Sequence, residues 1–170
     1  FLGGGFFLSL IVIFVYMGAG QEGQSVQLRH ALDGLKVKQA YSRDVQTLTP
    51  ESILSEAIVH TLSSLQADFP VLQNGDLVGI LTQAQLIEAL RQHGPDQVVG
   101  KVMQTGVTPA SPNEMVLDAQ QRMAEHRWDV LPVFENGKFL GLLTNRDVGE
   151  LYRLQISYQS AIEIAHPHHD

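Results

Sequence analysis

The stretch Phe69–Thr82, FPVLQNGDLVGILT, returns as LPVFENGKFLGLLT at Leu131–Thr144, with half of the fourteen aligned positions identical and a constant offset of 62 residues. A unit this long, present twice, is not a short-period solenoid, whose repeats run to about 20–50 residues and come in three or more copies. Two copies predict a pseudo-symmetric pair of small subdomains with a cleft between them. Ligand binding therefore ranks ahead of catalysis.

Composition removes several function classes. A net charge of −7, with no cluster of Lys and Arg, excludes a general nucleic-acid binder, because phosphate backbones are held by clustered cations. Cysteine is absent, so there are no disulfides and no thiolate chemistry. The 170 residues fit one compact domain plus extras.

Those extras begin at the N-terminus. Phe1–Met17 carries no charge and is rich in Phe, Leu, Ile and Val. About 20 such residues span a bilayer as a helix. The run is slightly short, and because it starts at Phe1 it reads as truncated upstream. A signal peptide cleaved at Gly18-Ala19-Gly20 is the alternative, but that calls for an opening Met and a basic flank. The expectation is a transmembrane helix over residues 1–20 and a connector over 21–35. Arg29, Lys36, Lys38 and Arg43 place the repeats on the cytoplasmic side of an integral membrane protein.

Each repeat has one plan, β-α-β-β-α, which makes the fold class α/β (α+β). In the first, residues 36–94, a short helical turn at Val37–Tyr41 precedes a strand at Val45–Leu48. A helix opens at Thr49-Pro50 and runs to about Leu65, with Ile53, Leu54, Ala57, Ile58, Leu62 and Leu65 at helical spacing. Strands Phe69–Gln73 and Leu77–Thr82 flank Asn74-Gly75, the dipeptide best suited to a type I′ hairpin. A helix Gln83–Gln92 ends near Gly94. The second repeat, residues 95–155, restates this. It has a turn at Val99–Met103 and a strand at Val107–Ala110. A helix runs from Glu114 to His126, signalled by the capping box Ser111-Pro112-Asn113-Glu114. A hairpin then turns at Asn136-Gly137, and a helix Asn145–Leu154 comes next. The tail, residues 156–170, extends that helix as far as Ile164.

Thr144-Asn145-Arg146-Asp147 admits two readings. Thr144 and Asp147 form a capping box with no ligand involved. Alternatively, the helix N-terminus offers N–H groups to phosphate, Asp147 accepts a ribose diol and Arg146 pairs with phosphate oxygens.

The repeated hydrophobic-Pro-Val strand, the Asn-Gly hairpin and the G-x-x-T-x-x-D ending resemble a tandem CBS pair, or Bateman module, over about residues 36–155. That resemblance implies an adenosine-containing regulatory ligand: AMP, ADP, ATP or S-adenosylmethionine. It also implies Thr144, Arg146 and Asp147 on phosphate and ribose, with Thr108, Pro109 and Val130 around adenine, and association of pairs into homodimers. In the first repeat Gln85 replaces the acid and Ala84 the arginine. The implied second site of Gln46, Thr47, Asp68, Thr82 and Gln85 is the weaker one, since a neutral amide lacks charge-assisted strength.

The N-terminal run, ending Phe14-Val15-Tyr16-Met17-Gly18-Ala19 and continuing through Gln21-Glu22 to Gly34-Leu35-Lys36-Val37, is similar to the last membrane helix and linker of CBS-bearing site-2 proteases. That implies a zinc protease core upstream, held by an HExxH helix. None of His30, His60, His93, His126, His166, His168 and His169 stands in that pattern, so no catalytic residue and no metal ligand is assigned to this chain. The alternatives are a ligand-free dimerisation module, or the regulatory pair of a transporter or channel. Trp128 is read as a packing residue.

Overall fold

The computed structural model describes residues 29–165. The expected membrane helix, most of the connector and the terminal His-rich segment lie outside them. Among the described residues no helix is long and apolar enough to cross a membrane. The chain divides into two compact units, one of Leu35–Gly149 and another that joins the segments flanking it. The first of these holds both repeats as far as Gly149.

The hairpins form as the Asn-Gly dipeptides dictate. Strands β1 (Phe69–Gln73) and β2 (Asp76–Leu81) pair antiparallel, as do β3 (Val130–Glu135) and β4 (Lys138–Thr144). Asn74 and Gly75 have φ of 54° and 87°, the positive pair that a type I′ turn needs. Both hairpins break register at equivalent places, Val71/Leu72 and Val133/Phe134. Four helices lie wholly within the described residues: α1 (Leu54–Ser64), α2 (Gln83–His93), α3 (Val116–His126) and α4 (Asn145–Ala165).

The strands expected at Val45–Leu48 and Val107–Ala110 do not form. The longer stretches Ser42–Leu48 and Gln104–Ala110 are each divided between two sheets instead. Ser42 exchanges backbone hydrogen bonds with Leu142 of the other repeat (2.8 and 3.0 Å). Leu48, six residues on, lies between Pro70 and Leu72 of its own β1 (3.0 and 2.8 Å). Gln104 and Ala110 copy this arrangement, the first bonded to Ile80 and the second to Pro132 and Phe134. A segment with its two ends on different sheets cannot extend either one.

The same exchange moves the helix starts. Thr49-Pro50 and Ser111-Pro112 make turns, closed by Ser52 N–H to Thr49 O and by Glu114 N–H to Ser111 O (both 3.1 Å). Helix α1 then begins at Leu54, whose N–H is satisfied by the Gln97 carbonyl (3.0 Å). Helix α3 begins at Val116, whose N–H goes to Leu35 O (2.9 Å). In both cases a carbonyl from outside the repeat stands where a side-chain cap would. Val99, from the second repeat's 3₁₀ turn, is fully buried in the first repeat's core beside Leu54, Phe69 and Leu81. A buried Val contributes about 1.5–3 kcal/mol. Between the sheets Ile80, Val130 and Leu142 meet, with Val45 and Val107 packed on them. On α1 only Leu54 and Ala57 are buried; Leu62 and Leu65, expected on the apolar face, are 78% and 87% exposed.

The crossing fixes two glycines. A Cβ on Gly141 collides with the Ser42 carbonyl and the Tyr41 ring, and on Gly79 it lies 2.7 Å from Gln104 O. Gly141→Ala is expected to cost about 3 kcal/mol in urea unfolding, the upper end for forced overpacking. A loss below about 0.5 kcal/mol would contradict so close an approach between the repeats.

Candidate functional site

Strand β4 ends at Thr144 and α4 starts at Asn145, so the turn between them presents a helix N-terminus. The capping box is fully made. Asp147 Oδ2 accepts from the Thr144 backbone N–H and hydroxyl, both at 2.8 Å, and Thr144 Oγ1 accepts from Asp147 N–H at 3.1 Å. This consumes one carboxylate oxygen. The other, Oδ1, has only a long contact with the Ser42 hydroxyl at 3.4 Å. Cap and ligand site are therefore compatible, because the cap orients Asp147 while leaving an acceptor free.

The turn opens onto a hollow of about 450 Å³, within the roughly 300–1,000 Å³ range of small-molecule sites. Its far side comes from the first repeat: Asp44 and Val45 on the divided segment, and Gln66 and Asp68 in the approach to β1. Gln66 holds that segment in place, its amide accepting from Gln46 N–H and donating to Gln46 O (both 2.8 Å). Asp129 closes the hollow from the second repeat, its Oδ1 accepting from Asn145 Nδ2 at 3.1 Å.

The groupings expected from sequence are therefore redistributed. Thr144, Arg146 and Asp147 share the hollow with Asp68, which the sequence pattern assigns to the other site. Thr108 and Pro109 are exposed and do not line it; the Pro109 carbonyl accepts from Arg122 at 3.3 Å. Val130 is buried in the intersheet core. Gln46 touches the hollow only through Gln66, and Thr47 is exposed outside its lining. Thr82 and Gln85 cap each other at the start of α2. The cause is the exchange of segments, which gives each cleft one repeat's helix start and the other repeat's divided segment. Asp44, Gln66 and Asp129 are not expected from sequence, since no motif marks them.

The two helix starts are chemically unequal. At α2 the first N–H, from Gln83, already has an anion, Asp68 Oδ1, at 3.2 Å. The counterparts of Ser64 and Gln66 are His126 and Trp128, whose rings stack at 4.3 Å. Burial pushes the Asp68 carboxyl above the usual range; the Gln83 hydrogen bond opposes this and the charge of Asp129 adds to it. Among the described residues no group of three His, Cys, Asp or Glu converges to hold a metal.

The CBS domain family model matches twice, over residues 37–92 and 99–152. A curated relative, the CBS domain-containing protein YhcV of Bacillus subtilis, is 29% identical over 127 residues, covering 74% of this chain and 89% of that protein. The zinc metalloprotease MJ0392 of Methanocaldococcus jannaschii is 26% identical over 141 residues, covering 83% of this chain but only 39% of that longer protein. Two solved structures share the fold. The CBS domain pair of protein MJ0100, in complex with 5′-methylthioadenosine and S-adenosyl-L-methionine, has a TM-score of 0.65 at 23% identity, over 71% of this chain and 97% of that one. CBSX2 in complex with AMP has a TM-score of 0.62 at 22% identity, over 73% and 99%. The two family matches coincide with the two copies of the internal duplication, and this chain belongs to the CBS domain family as a tandem pair.

Proposed function

We propose that the pair is a regulatory module that binds an adenosine-containing compound in the hollow beside the start of α4. The observation that carries this is the hollow itself, which gathers Thr144, Arg146 and Asp147 from one repeat and Asp68 and Gln66 from the other. Asp147 Oδ1 accepts the ribose diol. Thr144 and Arg146 face the anionic part of the ligand. Val45 and Gln66 border the base. Thr108, Pro109 and Val130 fall by symmetry to the second cleft with Thr82 and Gln85. That cleft is the weaker, because Gln85 lacks the charge and Asp68 already occupies α2's first donor. The adenosine ligands of MJ0100 and CBSX2 support the ligand class.

A ligand held by both repeats favours one arrangement of them, in so far as it binds the two arrangements unequally. The finer part of the proposal is that residues 1–20 are a transmembrane helix and that the module faces the cytoplasm. There it passes its state to a site-2 protease-like zinc core encoded upstream. The similarity to a zinc metalloprotease supports this, although the chain spans 39% of that protein.

Calorimetry on the full chain with S-adenosylmethionine, AMP and ATP tests the module. At least one should bind, and Asp147→Ala should weaken it at least tenfold. Loss of the cap alone would cost about 1 kcal/mol of stability. A hundredfold excess of ligand over Kd should raise stability by about 2.7 kcal/mol. No binding at millimolar ligand would leave a dimerisation module as the function. The protease context is checked by reading the gene upstream of Phe1; a transporter or channel there, with no HExxH, would replace it.

A further inference from the structure

The charges on the hollow's wall do not balance. Among the described residues, Asp44, Asp68, Asp129 and Asp147 line it against one guanidinium, Arg146. Ion pairs among the described residues join Glu56 to His60, Glu88 to Arg91 and Glu114 to Arg122; none involves the hollow. Asp147 is the best compensated of the four acids, through its cap. Asp129 and Asp68 each accept one hydrogen bond from a neutral donor, Asn145 and Gln83. The raised proton affinity of Asp68, from burial first and Asp129 among its causes, reports the same crowding of negative charge. The acids do not converge on one point as metal ligands would. Their field is spread over the wall, and a spread field is met by charge on the ligand itself.

Resting on the adenosine reading above, we infer that Asp44, Asp68 and Asp129 are specificity-determining residues that select the ligand by charge. They admit an adenosyl compound that is neutral or carries a positive centre, and they disfavour nucleotides in proportion to their phosphate charge. Like charges brought together in a partly desolvated site repel more strongly than in water. Arg146 suits a ligand with a single carboxylate, such as an adenosyl sulfonium amino acid, whose cationic centres then face the acids.

The test is calorimetry on the full chain in EDTA, so that no divalent cation masks phosphate. The probes are S-adenosylmethionine, 5′-methylthioadenosine, AMP and ATP. The expected order is the first two at least tenfold tighter than AMP, and ATP weakest. Asp68→Asn with Asp129→Asn keeps the hydrogen-bond acceptors and should shrink the preference over AMP at least threefold. Asp76→Asn, exposed at the start of β2, should leave it unchanged. AMP or ATP binding as tightly as 5′-methylthioadenosine would overturn charge selection while the adenosine reading stands. An unaltered ratio in the double variant would overturn the roles of Asp68 and Asp129. No binding by any probe would overturn both.

The burial of Asp68, with the charge of Asp129 added to it, has a ligand-free readout. A carboxyl with a folded-state pKa above its unfolded value has its stability contribution intact at low pH and loses it as pH rises through the folded value. Asp68→Asn should therefore raise the melting temperature at pH 7 and change it little at pH 3. Equal melting temperatures at pH 7 would show that an ionised Asp68 carries no net cost in the wall.

Discussion

The reciprocal backbone exchange between repeats is the constraint on which the rest depends. Ser42 bonds to Leu142, and Gln104 to Ile80. Val37 N–H donates to Glu114 O and Val99 N–H to Ser52 O, at 2.9 and 2.7 Å. A repeat of about 60 residues buries too little surface to be secure alone. Here neither repeat is complete alone: the first takes its helix-start carbonyl from Gln97 and the core residue Val99 from the second, and the second takes its helix-start carbonyl from Leu35, just ahead of the first. The two fold as one unit, joined across the boundary by backbone hydrogen bonds as well as by buried side chains.

A composite cleft is the direct consequence. If each repeat kept its own first segment, a site would be built from one copy, and the duplication would yield two similar sites. Because the segments cross, each cleft samples both copies, and any divergence between them appears as a difference between clefts. Asp147 against Gln85 and Arg146 against Ala84 are such differences. So is the His126–Trp128 stack opposite the smaller Ser64 and Gln66. One duplication thus gives a polar, acidic hollow at α4 and a self-satisfied helix start at α2.

The features legible in the sequence are those that local chemistry decides. Asn-Gly with alternating flanks specifies both hairpins, and Thr82–Gln85 and Thr144–Asp147 specify the starts of α2 and α4, because a cap is made within four residues. The illegible features depend on the other repeat. Val45–Leu48 has the composition of a strand, yet the partner for its leading end lies about a hundred residues away. Ser111-Pro112-Asn113-Glu114 has the letters of a capping box, yet the helix waits for the Leu35 carbonyl before it begins. The stripe on α1 continues through Leu62 and Leu65, and periodicity alone does not say which line of it is covered. The placement of Asp68 fails for the same reason as the strands: sequence pattern assembles a site within each copy, and the fold assembles it across them.

Crosswise assembly also bears on how occupancy becomes a signal. The hollow's two sides belong to different repeats, but Ser42 and Asp44 are covalently continuous with Leu48 on the far sheet. A ligand that draws Asp68 and Asp147 together, or holds them apart, therefore acts on a segment anchored in both sheets. Tightly packed interiors such as the Ile80–Val130–Leu142 contact shift between discrete arrangements more readily than they deform. The divided segment is the stretch of the hollow's wall that is tied to both sheets. Its ladder hydrogen bonds lie at its two ends, Ser42 and Leu48, and it leads back along the chain to Val37, whose N–H is held by Glu114 O of the second repeat.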